Sequence, residues 1–331
     1  MWRIPASVLL TAELVLGPSL LAQERSAPDP DAPPELVSPY HEYDLKLRVF
    51  YPAPRCPAGV LLPVRINGGR PLRMLLDSGA DIMVVRSKDA RSAGLSSDSE
   101  LDLVGLGSRS AQAARAETVE IGPVTFRHCH LAVVDGKVAE GEDGIIPLRM
   151  FSQFLLHMDL PGKTLQLSPY PGVEEPPLLP TRAAPRHDLL LVAAVLNGTR
   201  DGYVAVDTGS FCSVISREVA RTLGGFPTAA EVPLAAGTGA ATGHRVLAPV
   251  HFAIAQQDLV PDNVVAVDLS NLSLHYGVEV IGVLGFPALT RYVLTIDYRH
   301  HQVKIEPPQR IPATDRQPGS NAEPPAPLAF R

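Results

Sequence analysis

Two short stretches, "MLLDSGA" at 74–80 and "VAVDTGS" at 204–210, decide how this sequence folds. In each stretch, apolar residues precede an Asp, and the Asp is followed by a hydroxyl residue and a Gly. The sequence then returns to apolar residues. A single stretch of this kind is typical of a strand that ends in a turn, where Asp and Gly are common. The same pattern at matched positions of an internal repeat indicates instead that the two Asp residues share a chemical role.

The chain does contain such a repeat. Residues 65–95 align with residues 195–225 at a constant offset of 130, and the two Asp-containing stretches coincide. Further along, residues 144–167 align with residues 282–305 at an offset of 138, so the second copy carries an insertion of eight residues. A repeat of over a hundred residues governs the prediction of the whole fold.

Within each copy, short apolar runs are bounded by turn residues. Asn-Gly at 67–68 and at 197–198 favours a tight hairpin in each copy. A short helix is predicted at about 87–93 and another at about 217–223, each stopped by a Gly. Many short strands with regular turn signals predict an all-β protein built as two homologous small barrels.

Composition sets the domain boundaries. The 33 prolines among 331 residues cluster in three runs that favour linkers and tails, and the net charge of −6 provides no basic surface for nucleic acid. The predicted division is a signal peptide at 1–22, a Pro-rich linker or propeptide at 23–57, an N-terminal lobe at 58–170, a Pro-rich linker at 171–186, a C-terminal lobe at 187–306 and a disordered Pro-rich tail at 307–331.

The first 22 residues have the pattern of an export signal. Arg3 supplies the positive start, residues 4–21 are mostly apolar, and the segment ends in the small residue Ala22. A membrane anchor is the alternative, but Glu13 and Pro18 interrupt the run, which is short for a span. We therefore expect a periplasmic or extracellular protein with no stable membrane span after cleavage of the signal.

Other chemistries find little support in the sequence. The three cysteines, Cys56, Cys129 and Cys212, leave at least one free thiol, and whether the other two pair stays open. His128 and His130 would supply only two ligands, so neither a metal site nor a cofactor is predicted. Neither a Gly-x-Ser-x-Gly elbow nor a His-Glu-x-x-His motif occurs, which argues against a serine hydrolase and a zinc protease.

The repeated pattern resembles the aspartic proteases. In each copy, strand–Asp–Ser/Thr–Gly is followed by a Gly-rich hairpin and then by a Gly and two apolar residues. The compact copies resemble the retroviral-protease-like (retropepsin-like) branch in particular, here with both lobes in one exported chain. The resemblance covers roughly residues 58–306. It implies two β-barrel lobes with an active-site cleft between them, a monomer, and a peptide or protein substrate bound in extended conformation.

The resemblance also implies roles for individual residues. Asp77 and Asp207 would form the catalytic dyad of an endopeptidase. Ser78 and Thr208 would hydrogen-bond across to the opposite loop, while a Gly in each turn would let the backbone pass beneath the carboxyls. These turn glycines are Gly79 and Gly209. The Gly-rich hairpins would be flaps that close on the substrate, at Gly105, Leu106, Gly107, Gly237, Thr238 and Gly239.

Two differences between the copies carry expectations of their own. Pro147 stands where the second copy has a Gly, so the segment that supports the first Asp is expected to differ. Ser210 stands where the first copy has Ala80. The Ser210 hydroxyl is predicted to donate to the carboxylate of Asp207, to lower its pKa and to leave the shared proton mainly on Asp77.

The pair of acids has a direct chemical rationale. Two carboxyls held close together cannot both ionise easily, so they share one proton. The ionised carboxyl can take a proton from a water molecule while the protonated one hydrogen-bonds the scissile carbonyl. An alternative from another class is a non-catalytic module that binds an extended peptide through strand hydrogen bonds. Because both acids are retained, the sequence favours the enzyme.

Overall fold

The computed structural model describes residues 34–52, 54, 56–138, 142–171, 181–182, 189–223, 231–236 and 238–308. The predicted signal peptide, nearly all of the predicted tail and Gly237 lie outside these residues. Within the described ranges, no helix has the length and apolar character needed to cross a membrane.

The first copy and the segment that precedes it are built almost entirely from strands. These are β1 (Glu35–Leu36), β2 (Tyr43–Lys46), β3 (Arg48–Phe50), β4 (Gly59–Ile66), β5 (Leu72–Asp77), β6 (Met83–Arg86), β7 (Ser97–Val104), β8 (Ser108–Ile121), β9 (Val124–Val134), β10 (Gly144–Pro147), β11 (Phe154–Asp159) and β12 (Thr164–Pro169). One sheet has the order β1-β9-β6-β10-β5-β4-β8-β7, with β3 paired to β4. We call this sheet and its attached helix α1 (Ser87–Ser92) the N-terminal lobe.

The second copy repeats this arrangement. Its strands are β13 (Thr181–Arg182), β14 (Leu191–Leu196), β15 (Arg200–Asp207), β16 (Ser213–Ser216), β17 (Glu231–Ala236), β18 (Gly239–Val246), β19 (Phe252–Ile254), β20 (Gln257–Leu259), β21 (Val264–Val267), β22 (Val280–Gly285), β23 (Val293–Asp297) and β24 (Gln302–Glu306). The sheet order is β17-β18-β21-β16-β22-β15-β14-β19-β20. Together with α2 (Arg217–Thr222), α3 (Ser270–Tyr276) and α4 (Phe286–Leu289), it forms the C-terminal lobe.

The short helices lie where the sequence predicts them but begin differently in the two lobes. In α2 the side chain of Ser216 accepts a hydrogen bond from the backbone N–H of Val219, as an N-cap does. No side-chain cap precedes α1; instead, Arg86 donates to the buried carboxylate of Asp89 at 2.8 Å. Val219 occupies the position equivalent to Asp89, so the same helix packs through an ion pair in one lobe and an apolar side chain in the other.

Helix α3 accounts for most of the extra length of the second copy. The strand registers match up to the ends of β9 and β21, and match again at β10 and β22. The longer connection of the second copy contains α3, which ends at Gly277 in a left-handed conformation with φ of 65°.

A third sheet joins the two copies, with the order β13-β24-β23-β11-β12-β2. Strand β2 comes from residues 23–57, for which the Pro-rich composition predicts a linker or propeptide. In the structure, residues 35–50 of this segment form β1, β2 and β3, and Tyr43 of β2 pairs with Leu167 of β12. Tyr43, Leu45 and Leu47 are buried. Their alternating apolar pattern places this stretch in the fold, despite the prolines on either side of it.

Two apolar clusters lie apart from the main core and face the cleft between the lobes. The N-terminal cleft cluster is formed by Leu75, Val84, Leu103, Ala111, Ala132, Val134, Val138 and Ile145. The C-terminal cleft cluster is formed by Leu189, Leu191, Ala205, Val214, Leu234, Val265, Val267, Leu269, Leu272, Tyr276, Val280 and Val283. The repeat thus produces two matching apolar walls.

Candidate active site

The two Asp residues of the repeated motif stand at the ends of matching strands. Asp77 is the last residue of β5 and lies opposite Pro147 of the parallel strand β10. Asp207 is the last residue of β15 and lies opposite Gly285 of the parallel strand β22. The three residues before each Asp are apolar and buried. Rigid, buried strands therefore position both carboxyls.

Backbone N–H groups of the turns bind both carboxyls. The N–H of Gly79 donates to Oδ1 of Asp77 at 2.6 Å. The N–H groups of Gly209 and Ser210 both donate to Oδ1 of Asp207, at 2.8 Å and 3.0 Å. Asp207 thus accepts two hydrogen bonds from its turn where Asp77 accepts one from Gly79, and this favours the ionised form of Asp207.

The two carboxyls hydrogen-bond each other at the base of the cleft. Burial raises the pKa of Asp77 well above its ordinary value, and the charge of Asp207 and the hydrogen bond with it act in the same direction. Burial also raises the pKa of Asp207, but the hydrogen bond from Asp77 and the N–H groups of its own turn oppose the rise. Because burial raises the pKa of both acids, the pair shares one proton, and the two N–H bonds to Asp207 favour Asp77 as the residue that holds it.

Ser78 and Thr208 hydrogen-bond each other's loops reciprocally. The N–H of Ser78 donates to Oγ1 of Thr208 at 3.0 Å, and the N–H of Thr208 donates to Oγ of Ser78 at 2.9 Å. Each hydroxyl in turn donates to a carbonyl of the opposite strand, Ser78 to Val206 at 2.7 Å and Thr208 to Leu76 at 2.9 Å. Both side chains are buried, so these four bonds lock the two loops together.

The prediction for the Ser210 hydroxyl is wrong. Its Oγ donates to the carbonyl of Cys212 at 2.8 Å, whereas the backbone N–H of Ser210 binds Asp207. In the turn after Gly209, the backbone N–H of Ser210, and not its side chain, points at the carboxylate of Asp207. The two turns therefore differ in the number of backbone N–H donors to the Asp, and not in a hydroxyl donor.

The segment that supports the Asp turn differs between lobes, as the sequence predicts. In the C-terminal lobe, the N–H of Gly285 donates to Oγ of Ser213 at 3.0 Å. A Cβ at Gly285 would collide with the backbone of Cys212. Pro147 has no N–H to donate. The residue of the N-terminal lobe equivalent to Ser213 is Met83. The Met side chain has no hydroxyl that would accept a hydrogen bond from the residue at position 147.

The Gly-rich hairpins cover the cleft from both lobes. Gly105, Leu106 and Gly107 form the turn between β7 and β8. On the other lobe, Thr238 lies in the turn between β17 and β18, and Gly239 is the first residue of β18. The two turns meet, because a Cβ at Gly105 would overlap Oγ1 of Thr238.

A cavity of about 390 Å³ lies beneath the hairpins and above the carboxyls. Its lining includes residues of both cleft clusters, and among the residues that sequence reasoning missed are Asp81, Cys212 and Tyr276. The hydroxyl of Tyr276, on α3, lies 3.4 Å from Oδ2 of Asp81 in the opposite lobe. The change of offset marked the insertion that carries Tyr276, but no sequence signal showed that it reaches the other lobe.

Two other kinds of side chain could carry chemistry, the thiols and the residues that bind metal ions. None of the three cysteines is in a disulfide, and all three lie in the described residues. Burial raises the pKa of Cys212 to about 11 and that of Cys129 to about 12, which keeps both thiols protonated and poorly nucleophilic. Across the described part of the chain, no three His, Cys, Asp or Glu residues are grouped so as to hold a metal ion.

Two comparisons with known proteins find similarity. Residues 62–149, which include the first Asp-Ser-Gly turn, match the family described as aspartyl protease. The fold is similar to that of an aspartic proteinase from Irpex lacteus, with a TM-score of 0.54 and 13% sequence identity. The alignment covers 82% of this chain and 99% of that chain. No curated protein matches the sequence. The predicted all-β fold is confirmed.

Proposed function

We propose, from the family match over residues 62–149 and the fold shared with an aspartic proteinase, that this protein is an aspartic endopeptidase. The observation that carries the proposal is the hydrogen-bonded pair of carboxyls, Asp77 and Asp207, at the base of a cleft. Two acids that share one proton supply a base and an acid in a single site.

The two acids take different roles in the proposed reaction. Asp207, which accepts two backbone N–H bonds, is the ionised partner and takes a proton from a water molecule held between the carboxyls. The water oxygen adds to the scissile carbonyl carbon while Asp77 donates its proton to the carbonyl oxygen. Asp207 then passes its proton to the amide nitrogen and the C–N bond breaks, while a hydroxyl of the tetrahedral intermediate returns a proton to Asp77. The products are a carboxylic acid and an amine.

The substrate in this proposal is a peptide in extended conformation. The apolar cleft clusters flank the carboxyls, and the hairpins close over the cavity, so a chain that enters the cleft is shielded from water. One chain supplies both Asp loops, and we therefore propose that the protein acts as a monomer. On the pattern of residues 1–22, we also propose export to the periplasm or the medium.

A peptide-library experiment tests the function. The purified protein is incubated with a mixed peptide library at several acidic and neutral pH values, with and without pepstatin A, and the products are identified by mass spectrometry. We expect internal cleavage that pepstatin A blocks and that Asp77→Asn or Asp207→Asn abolishes. Asp201→Asn, at an exposed position of β15, is the matched control and should cleave normally.

The outcomes separate the two candidate classes. Peptides that bind to the protein and remain uncut at every pH would indicate the non-catalytic peptide-binding module. Cleavage that persists in either Asp77→Asn or Asp207→Asn would reject the dyad.

A further inference from the structure

Leu106, at the tip of the β7–β8 hairpin, packs on the opposite lobe. The hairpin belongs to the N-terminal lobe, but the side chain of Leu106 is partly buried against the C-terminal cleft cluster. The tip is held in its own shape by a hydrogen bond from the N–H of Gly105 to the carbonyl of Gly107, at 2.9 Å. The tip therefore engages the C-terminal lobe through an apolar contact.

Leu106 and the carboxyl of Asp207 line the same cavity. Ala205, two residues before Asp207, and Val214 belong to the C-terminal cleft cluster and also line the cavity. A peptide side chain in this cavity would compete with Leu106 for the apolar surface of the C-terminal cleft cluster.

The tip of the second hairpin meets the first hairpin. It carries Thr238, which lies so close to Gly105 that a Cβ on Gly105 would overlap Oγ1 of Thr238. The hairpin that carries Leu106 must move before a peptide can reach the part of the C-terminal cleft cluster against which Leu106 packs.

We infer that Leu106 occupies, in the free protein, the apolar pocket of the C-terminal lobe that receives an aliphatic side chain of the substrate. Leu106 therefore competes with the substrate and keeps the hairpin closed until a side chain of similar shape replaces it. The inference rests on the proposed function in taking this cleft as the place where the peptide binds. It assigns to Leu106 a role opposite to that of a flap residue that only clasps bound substrate.

The test combines hydrogen–deuterium exchange with binding of pepstatin A, whose side chains are aliphatic. In Leu106→Ala we expect faster exchange of the amides of β7 and β8 in the free protein. Pepstatin A should bind about three- to tenfold more tightly, because the competing side chain has been shortened. Leu106→Ile retains a branched aliphatic side chain and should resemble the wild type. Leu247→Ala is the control for truncation, since Leu247 is 66% exposed and lies outside the cavity.

Each outcome decides the inference. Weaker binding of pepstatin A by Leu106→Ala would show that Leu106 contacts the bound ligand and stabilises the complex. Binding equal to that of Leu247→Ala would show that Leu106 does not compete for the pocket. Either result overturns the inference. Unchanged exchange of β7 and β8 would overturn it as well, even if pepstatin A failed to bind the wild type. That failure of binding would count separately, against the proposed function.

Discussion

Gly209 lies directly against the carboxyl group of Asp77 in the opposite lobe. A Cβ built on Gly209 would overlap Cγ of Asp77, and one built on Gly79 would lie 2.6 Å from Cγ of Asp207. Each glycine is therefore required less by its own turn than by the carboxyl of the other copy. The repeated Gly of the Asp-Ser/Thr-Gly motif is what allows the two acids to approach each other.

Substitution of this glycine should separate the acids. Gly209→Ala should lower kcat by about a hundredfold or more, because a displacement of about 1 Å at the reacting groups has effects of this size. The measurement is the rate of cleavage of a peptide identified in the library, with circular dichroism as a check on folding. Gly198→Ala is the control: it strains a turn with φ of 67° but has no neighbour within 4 Å, and it should keep its activity. Equal activity in both variants would contradict the close approach.

The reciprocal bonds of Thr208 should contribute strongly to stability. Thr208→Val keeps the shape of the side chain but removes the acceptor for the N–H of Ser78 and the donor to the carbonyl of Leu76. Because both partners are buried, we expect the free energy of unfolding to fall by about 2–4 kcal/mol, measured by urea denaturation. Thr208→Ser keeps the hydroxyl and should lose less than about 1 kcal/mol. Similar losses in both variants would assign the effect to the methyl group.

The repeat made much of this fold predictable. Matched Asp residues, a Gly after each hydroxyl residue and short strands between turns led to two equivalent lobes, and the reciprocal bonds of Ser78 and Thr208 lie where the motif requires them. Local chemistry repeats with the sequence, because each copy must build the same turn on the same pair of parallel strands.

Contacts between non-equivalent parts of the chain were not predictable. Residues 35–50 pair with strands far along the chain. The Pro-rich composition around them predicts a linker or propeptide, although their own apolar residues alternate as in a strand. Tyr276 meets Asp81 of the other lobe from α3, a helix that has no counterpart among the described residues of the first copy. The direction of the Ser210 hydroxyl depends on a carbonyl two residues away, a detail of turn geometry that residue type does not determine.

Ser210→Ala should leave the pH dependence of the reaction almost unchanged. The hydroxyl donates to Cys212, and the bond to Asp207 comes from a backbone N–H that the variant retains. The acidic limb of the pH–activity curve should therefore shift by far less than the roughly one unit expected from loss of a hydrogen bond to a charged group. An upward shift of about one unit in kcat/KM profiles would show that the hydroxyl reaches the carboxylate during the reaction.

Activity should not depend on association of two chains. Both Asp loops belong to one chain and are locked by buried hydrogen bonds, so specific activity should stay constant on dilution from micromolar to nanomolar concentration. A mixing experiment sharpens the test: Asp77→Asn and Asp207→Asn proteins, each inactive alone, should remain inactive together. Recovery of activity in the mixture would show that the site forms between chains.

The raised pKa of Asp77 predicts that the variant Asp77→Asn becomes increasingly more stable than the wild type as the pH rises. In the folded state, burial, the charge of Asp207 and the hydrogen bond with it keep Asp77 protonated well above its ordinary pKa. In the unfolded chain the same group loses its proton near pH 4. Between these two pKa values the unfolded state binds fewer protons than the folded state, so stability falls with increasing pH. Asp77→Asn removes this loss, because the amide cannot ionise and can still donate a hydrogen bond to Asp207.

The difference in unfolding free energy between Asp77→Asn and the wild type should therefore be small below pH 4 and grow as the pH rises. It should level off once the pH exceeds the folded-state pKa of the pair, and each unit by which that pKa is raised corresponds to about 1.4 kcal/mol. Urea denaturation of both proteins across the acidic and neutral range measures the difference directly. Asp201→Asn, at an exposed position of β15, is the control for the same chemical change away from the cleft. If the difference for Asp77→Asn did not change with pH, or if Asp77→Asn became less stable than the wild type at neutral pH, the proton would not reside on Asp77.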